Sequence, residues 1–199
     1  MLFSREVLFT GVVPAFRKQT ISHLPCVIYF NLIDFDNTKN IRTFLTMAEK
    51  LNVGDVLPHF IMNNENHEPV DISAYRGRYL ILYFYPKDDT PGCVREAISF
   101  RNSFREFVDA GAIVYGISSD RPDSHAQFKR KYKLPFSLLS DTAGELRKLL
   151  GVPTDLFGLI PGRVTYIFNP EGRLVHVFDS QLSPEKHVQE ALSIIGKKD

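Results

Sequence analysis

The stretch Tyr79-Leu-Ile-Leu-Tyr-Phe-Tyr85-Pro86-Lys-Asp-Asp-Thr90-Pro-Gly-Cys93 decides the fold. Its first seven residues are aromatic or aliphatic on both alternating faces. That pattern suits a central strand buried on both sides. Pro86 cannot donate to a sheet ladder and stops the strand. A polar loop follows, and Val94-Arg-Glu-Ala97 opens a helix. Ala97, Phe100, Phe104, Phe107 and Val108 fall at i, i+3, i+7, i+10 and i+11, one helical stripe. Gly111 is expected to close that helix in the left-handed conformation.

Outward from this unit the punctuation is regular. Upstream, Val56–Met62 and Glu68–Ile72 read as short strands around the polar turn Asn63-Asn-Glu-Asn66. Downstream, Ala112–Ser118 is a strand, 123–132 a helix closed before Pro135, and Phe136–Leu139 a short strand. Thr142-Ala-Gly-Glu145 has capping-box spacing ahead of Leu146, Leu149 and Leu150. Val164–Phe168 and Arg173–Phe178 flank the hairpin signal Asn169-Pro-Glu-Gly172. Ser183-Pro184 reads as an N-cap with proline in the first helical position. Val188, Ala191, Leu192 and Ile195 form the buried stripe of that last helix, and Gly196 ends it. A β–α–β core followed by a hairpin and a final helix predicts an α/β fold: a thioredoxin-like three-layer sandwich with a central mixed sheet.

The chain has 199 residues, 44% hydrophobic and 24% charged, enough for one domain that needs no staple. Its 24 Lys and Arg against 23 Asp and Glu give +1, which excludes a polyanion binder driven by bulk charge. Lys129-Arg-Lys131 reads as a solvated helix face, and no nucleic-acid partner is expected. Two cysteines exclude a disulfide-dense scaffold and a cysteine-only zinc site. No apolar run approaches the ~20 residues of a membrane span, so no membrane partner is expected. Residues 1–46 hold five basic and three acidic residues, a net +2, against −1 for 47–199. We read 1–46 as an extension outside the fold and 47–199 as the domain. The first reading of the extension is a start codon taken too early, with Met47 the true start. The second is an organelle-targeting segment, because it is acid-poor up to Asp34. These give a cytoplasmic protein, or an organellar one such as a chloroplast protein.

Cys93 lies where a buried strand passes into a helix N-terminus. In open α/β sheets ligands collect outside the carboxyl ends of the strands. The first helical turn offers free N–H groups and the positive end of the dipole, which favour a thiolate. A free thiol of pKa about 8.5 is only ~3% ionised at pH 7, so this placement enriches the nucleophile. Thr-Pro-Gly-Cys is neither a strand core nor a helix interior, which sets Cys93 apart from an inert buried cysteine. Other nucleophile classes fail on spacing. A phosphatase loop needs Arg where Ser99 stands, and a dithiol motif needs Cys where Thr90 or Glu96 stands. No histidine is designated as a hydrolase partner. His59, His125, His176 and His187 receive no role.

The segment PKDDTPGCVREA, residues 86–97, resembles the active-site segment of the peroxiredoxins, with its Pro-x-x-x-Thr-x-x-Cys pattern. YFYPKDDTPGC, VYGISSDRPDSHAQF, LPFSLLSD and FGLIPGRVTYIFNPEGRL resemble the peroxiredoxin Q, or bacterioferritin comigratory protein, subgroup. The similarity covers about residues 47–199. It implies thiol-dependent reduction of hydrogen peroxide and organic hydroperoxides, with no metal, haem or flavin cofactor. Cys93 would be the peroxidatic cysteine. Thr90 would hydrogen-bond the peroxide and the sulfur, and Pro86 would shield the pocket. Arg163 would hold the thiolate's charge, since a guanidinium stays protonated at any working pH. Glu96 would either orient an arginine or simply complement the helix dipole.

One position departs from the subgroup pattern. Many members carry a resolving cysteine five residues after the peroxidatic one, where this chain has Ile98. Val94 also stands where Thr is usual. The expectation is a one-cysteine mechanism, with thioredoxin, glutaredoxin or glutathione as the external thiol, and with Cys26 as the second choice of resolver. The resemblance implies a monomer or weak homodimer. The competing reading is a peroxide-sensing or chaperone-like redox switch without sustained turnover. A thiol–disulfide reductase is disfavoured by the missing CxxC.

Overall fold

The structure, a computed structural model, describes residues 50–155 and 160–196. At its centre β3 (Leu80–Phe84) pairs in parallel with β4 (Ile113–Ser118) and antiparallel with β8 (Val164–Phe168). All five residues of β3 are wholly buried, as the unbroken apolar run predicts. On one flank β5 (Ser137–Ser140) continues in parallel, and β1 (Ile61–Asn64) and β2 (Pro69–Asp71) follow antiparallel. On the other, β9 (Leu174–Asp179) forms the expected hairpin with β8. The mixed seven-stranded sheet runs β2-β1-β5-β4-β3-β8-β9.

Alternation along β3 divides the core. Ile81 and Tyr83 face a layer holding Phe100 of α1 (Pro91–Asn102), Phe107 of α2 (Phe104–Asp109), Phe128 of α3 (Pro122–Tyr132) and Ala191 of α5 (Lys186–Ile195). Leu80, Leu82 and Phe84 face the other layer. There a 3-10 turn (Ile72–Tyr75) and α4 (Glu145–Leu149) supply Ile72, Tyr75 and Leu146. Helices cover both faces, so the three-layer sandwich of thioredoxin type stands. The Tyr83 ring stacks on Phe100 at 4.4 Å between centroids. It reaches that position only because Gly116 of β4 lacks a side chain: a Cβ there would lie 2.5 Å from the Tyr83 ring.

Local details depart from the sequence reading, each for a physical reason. The stripe from Ala97 to Val108 is two helices. The chain leaves helical geometry at Ser103 (φ −95°, ψ 7°), and the new phase turns Val108 outward, 50% exposed. Gly111 is left-handed as expected (φ 70°). The capping box at Thr142 does not form. Asp141 accepts the Leu146 and Arg147 N–H groups instead (3.2 and 2.8 Å), with left-handed Gly144 leading into α4. A carboxylate one residue earlier outcompetes the hydroxyl, because it also complements the helix dipole. The last helix starts at Lys186, whose N–H donates to the Ser183 carbonyl (3.1 Å), so a turn separates Pro184 from the helix. Val56 forms only a single bridge, to Arg173, ahead of β1. A small ribbon of β6 (Thr154–Asp155) and β7 (Ile160–Pro161) is too short for any period to reveal. No helix among the described residues is long and apolar enough to cross a membrane.

Candidate active site

Three segments meet beyond the carboxyl end of β3. They are the loop 85–90 with the start of α1, the turn Gly162–Arg163 that enters β8, and the junction of Ser180–Gln181 with α5. Pro91 occupies the first helical position of α1, which places Cys93 in the first turn, 1% exposed. There its sulfur feels the unpaired N–H groups of the helix start. The β8–β3 pairing of Val164 with Phe84 brings Arg163 across from the loop. Its Nη2 donates to Cys93 Sγ at 3.4 Å, and its Nη1 donates to Glu96 Oε2. Arg163 is 4% exposed. Burial opposes its charge, but Glu96 and Cys93 together hold its pKa above the ordinary arginine value.

Two glycines make room for this. A Cβ at Gly92 would sit 3.0 Å from Arg163 Nη2, and one at Gly162 would sit 2.4 Å from the Pro153 carbonyl. Arg147 fastens the two segments from below: it donates to the carbonyls of Tyr85 (3.1 Å) and Gly162 (3.2 Å).

The loop itself is anchored by adjacent aspartates. Asp88 is buried and accepts from the Tyr85 hydroxyl (2.8 Å) and the Ser124 hydroxyl (2.7 Å), and it pairs with His125 Nδ1 (2.9 Å). Its own N–H donates to Asp120 (2.8 Å). Asp89, left-handed at φ 60°, binds Lys131 and Tyr132 at the surface. Lys131 and Tyr132 hold its carboxyl below the usual carboxylate range. Thr90 is half-buried. Its hydroxyl donates to the Lys87 carbonyl (3.0 Å) and does not cap α1, while its oxygen can still accept. Pro86 is half-buried at the loop's start. The fold thus brings together Cys93, Arg163 and Glu96, and places Thr90 and Pro86 on the adjoining loop. Cys26 lies outside the described residues. No group of three or more His, Cys, Asp or Glu suited to a metal occurs among the described residues.

The AhpC/TSA family model matches residues 53–177. The chain belongs to the AhpC/TSA family. It is 46% identical over 146 residues to the chloroplastic peroxiredoxin Q of Oryza sativa subsp. japonica, spanning 73% of this chain and 67% of that one. Among solved structures it is similar to Xylella fastidiosa PrxQ, with a TM-score of 0.69 and 30% identity over 74% of this chain and 97% of that one. It is also similar to Xanthomonas campestris bacterioferritin comigratory protein, with a TM-score of 0.64 and 28% identity over 71% and 98%. The chain is therefore a peroxiredoxin of the peroxiredoxin Q type. It is a thiol peroxidase, an oxidoreductase that takes a peroxide as oxidant and a thiol such as thioredoxin as reductant, and the redox-switch reading is not favoured.

Several residues that shape this peroxiredoxin site escaped the sequence reading. His125 and His187 are both wholly buried and hydrogen-bonded, and Arg147 and Asp88 are buried as well. A usable signal existed for the histidines. His125 shares a stripe with Phe128 and Tyr132, and His187 shares one with Ala191. A polar ring on an apolar helical face must find partners when it is buried.

Proposed function

We propose that Cys93 is the peroxidatic cysteine of this peroxiredoxin, with Arg163 as its charge partner. The observation that carries the proposal is the 3.4 Å donation from Arg163 Nη2 to Sγ in the first turn of α1. The Cys93 thiolate attacks one peroxide oxygen, the O–O bond breaks, and the departing oxygen leaves as water or an alcohol after taking a proton. Charge develops on that oxygen, and the second face of the Arg163 fork can bind it. Thr90 accepts or donates to the peroxide from the loop, and Pro86 limits water access. Hydrogen peroxide and organic hydroperoxides are both substrates. The alkyl peroxide reduction activity named for the Xanthomonas campestris protein supports the organic class.

Cys93 leaves the step as a sulfenic acid. A second thiol condenses with it, water is lost, and thiol–disulfide exchange restores the thiolate. Ile98 stands at the resolving position of the subgroup, which supports a one-cysteine cycle with thioredoxin, glutaredoxin or a small thiol as resolver. We assign catalysis to residues 47–199, with 1–46 as an extension, and infer a monomer or weak homodimer. The chloroplastic names of the plant relatives favour the organellar reading over the cytoplasmic one.

The test is peroxide consumption by the full chain with thioredoxin, glutaredoxin or dithiothreitol. Cys93→Ser is expected to abolish turnover, and Cys26→Ser to leave it intact. Loss of the thioredoxin-driven cycle in Cys26→Ser, with the first oxidation retained, would overturn the one-cysteine assignment.

A further inference from the structure

Behind the Arg163 guanidinium lies a buried pair that the peroxidase cycle above does not use. Glu96 and His187 are both 0% exposed. Glu96 Oε2 accepts from Arg163, but Oε1 has no hydrogen-bond partner. The ring of His187 stands beside it, with Nδ1 3.7 Å from Oε1.

The imidazole's hydrogens follow from its other contacts. Nε2 lies 3.0 Å from the Ser180 carbonyl, which can only accept, so Nε2 carries the proton. Nδ1 of the neutral ring is then an acceptor, served by the Thr165 hydroxyl at 2.8 Å. The one lone pair of Nδ1 is thus taken, His187 offers no proton on that side, and Glu96 Oε1 is left without a donor in a site closed to solvent. An uncharged acid lowers that cost, because a buried carboxylate oxygen without a donor is far more expensive than a neutral one.

We propose that Glu96 holds a proton on Oε1 in the reactive enzyme, beside a neutral His187 that offers it no donor, so that Cys93 is the sole anion sharing Arg163. The alternative home for the proton is His187, and it is worse. An imidazolium would be buried beside the Arg163 cation. Burial lowers the His187 pKa to about 4 despite the hydrogen bond to the Ser180 carbonyl, and Arg163 adds a smaller lowering. Burial pushes the Glu96 carboxyl up to about 8 even against Arg163. Three further groups face Glu96, of which Glu185 raises its pKa. Glu185, ahead of α5, repels its charge, and Tyr83 of β3 presents a buried hydroxyl without a partner. Cys93, on the same helix, competes with it for Arg163.

The consequence is an unusual pH profile. A thiolate nucleophile normally gains rate with pH and then stays on a plateau. Here, once Glu96 ionises, two anions divide one guanidinium, and less positive charge is left for the sulfur and the departing oxygen.

The inference rests on Cys93 as the peroxidatic residue, and two readouts keep the two ideas separable. The first is the rate of Cys93 oxidation by hydrogen peroxide against pH. The full chain is expected to show a falling limb centred near pH 8, about tenfold between pH 7 and pH 9 if only the protonated form reacts. Glu96→Gln keeps an acceptor for Arg163 and cannot titrate, so its profile should plateau. His187→Phe, which likewise offers Oε1 no donor, should keep the limb. The second readout needs no peroxide: the infrared carbonyl stretch of a buried carboxylic acid at pH 7, absent in Glu96→Gln. A missing acid band, or a falling limb that persists in Glu96→Gln, would overturn the proposal. A present band with no oxidation of Cys93 at any pH would instead remove the peroxidatic assignment.

Discussion

Arg163 reaches Cys93 because its neighbours leave space for a fork with two arms. One arm meets sulfur at 3.4 Å and the other meets Glu96, so the residue is fixed in angle as well as in distance. Lysine offers a charge but no planar fork, and it cannot serve both partners at this geometry. Arg163→Ala should slow Cys93 oxidation by about 10²-fold or more, the scale of losing one pre-oriented donor at a developing oxyanion. Arg163→Lys should recover only part of that loss. Stopped-flow oxidation by hydrogen peroxide measures both, and equal rates in wild type and Arg163→Ala would remove the arginine from the site. Gly92 supplies a subtler test. Its Cβ would lie 3.0 Å from Nη2, so Gly92→Ala must push the guanidinium by a few tenths of an ångström. A displacement of that size should reduce the oxidation rate by roughly threefold to tenfold, without a change in the unfolding midpoint.

At the scale of elements, the loop between β3 and α1 carries its own anchor. Asp88 ties it to Tyr85 on one side and to Ser124 and His125 of α3 on the other, with the Tyr85 and His125 contacts out of water. Asp88→Ala would leave these groups unpaired in a buried site and should cost about 3 kcal/mol, read as a lower urea midpoint. Asp89→Asn loses only the charge of a surface ion pair with Lys131, can still accept from the Tyr132 hydroxyl, and tolerates the left-handed backbone, so its midpoint should barely move. A large shift for Asp89 with none for Asp88 would reverse this account of the anchor. The same network shows where reading the sequence succeeded and where it stopped. β3 announces itself because its burial on both faces is written in seven consecutive residues. Cys93 and Arg163 were found through a local motif and a family resemblance. His125 pairs with Asp88 from 37 residues away, and Arg147 reaches Tyr85 across 62. Periodicity describes one element at a time, so it shows that such side chains turn inward but not what they meet. The break at Ser103 was invisible for a related reason. A helical stripe continues to look regular in sequence even when the chain changes phase within it.

For the molecule as a whole, the buried pair behind the site predicts how stability follows pH. Glu96 rises from its ordinary 4.5 to about 8 on folding, so between those values the folded chain holds a proton that the unfolded chain has released. Its contribution is full below pH 4.5 and is lost as pH rises through 8. His187 falls from 6.5 to about 4, so between those values the unfolded chain holds the extra proton, and stability rises with pH. The two slopes oppose each other from 4.5 to 6.5 and should cancel to a plateau. Above 6.5 only Glu96 acts, and stability should decline by up to about 1.4 kcal/mol per pH unit until pH 8. Below 4.5 the His187 slope is no longer opposed. Glu65 adds to it: despite burial, Lys129 and backbone N–H groups lower its pKa, so its contribution disappears as its carboxylate is protonated. Urea midpoints from pH 4 to pH 9 would show the plateau and both flanks. Glu96→Gln should change the shape in one specific way, with stability rising from 4.5 to 6.5 on the His187 slope and holding level from 6.5 to 8. If the variant kept the wild-type decline above pH 6.5, Glu96 would not be the group that takes up a proton when this chain folds.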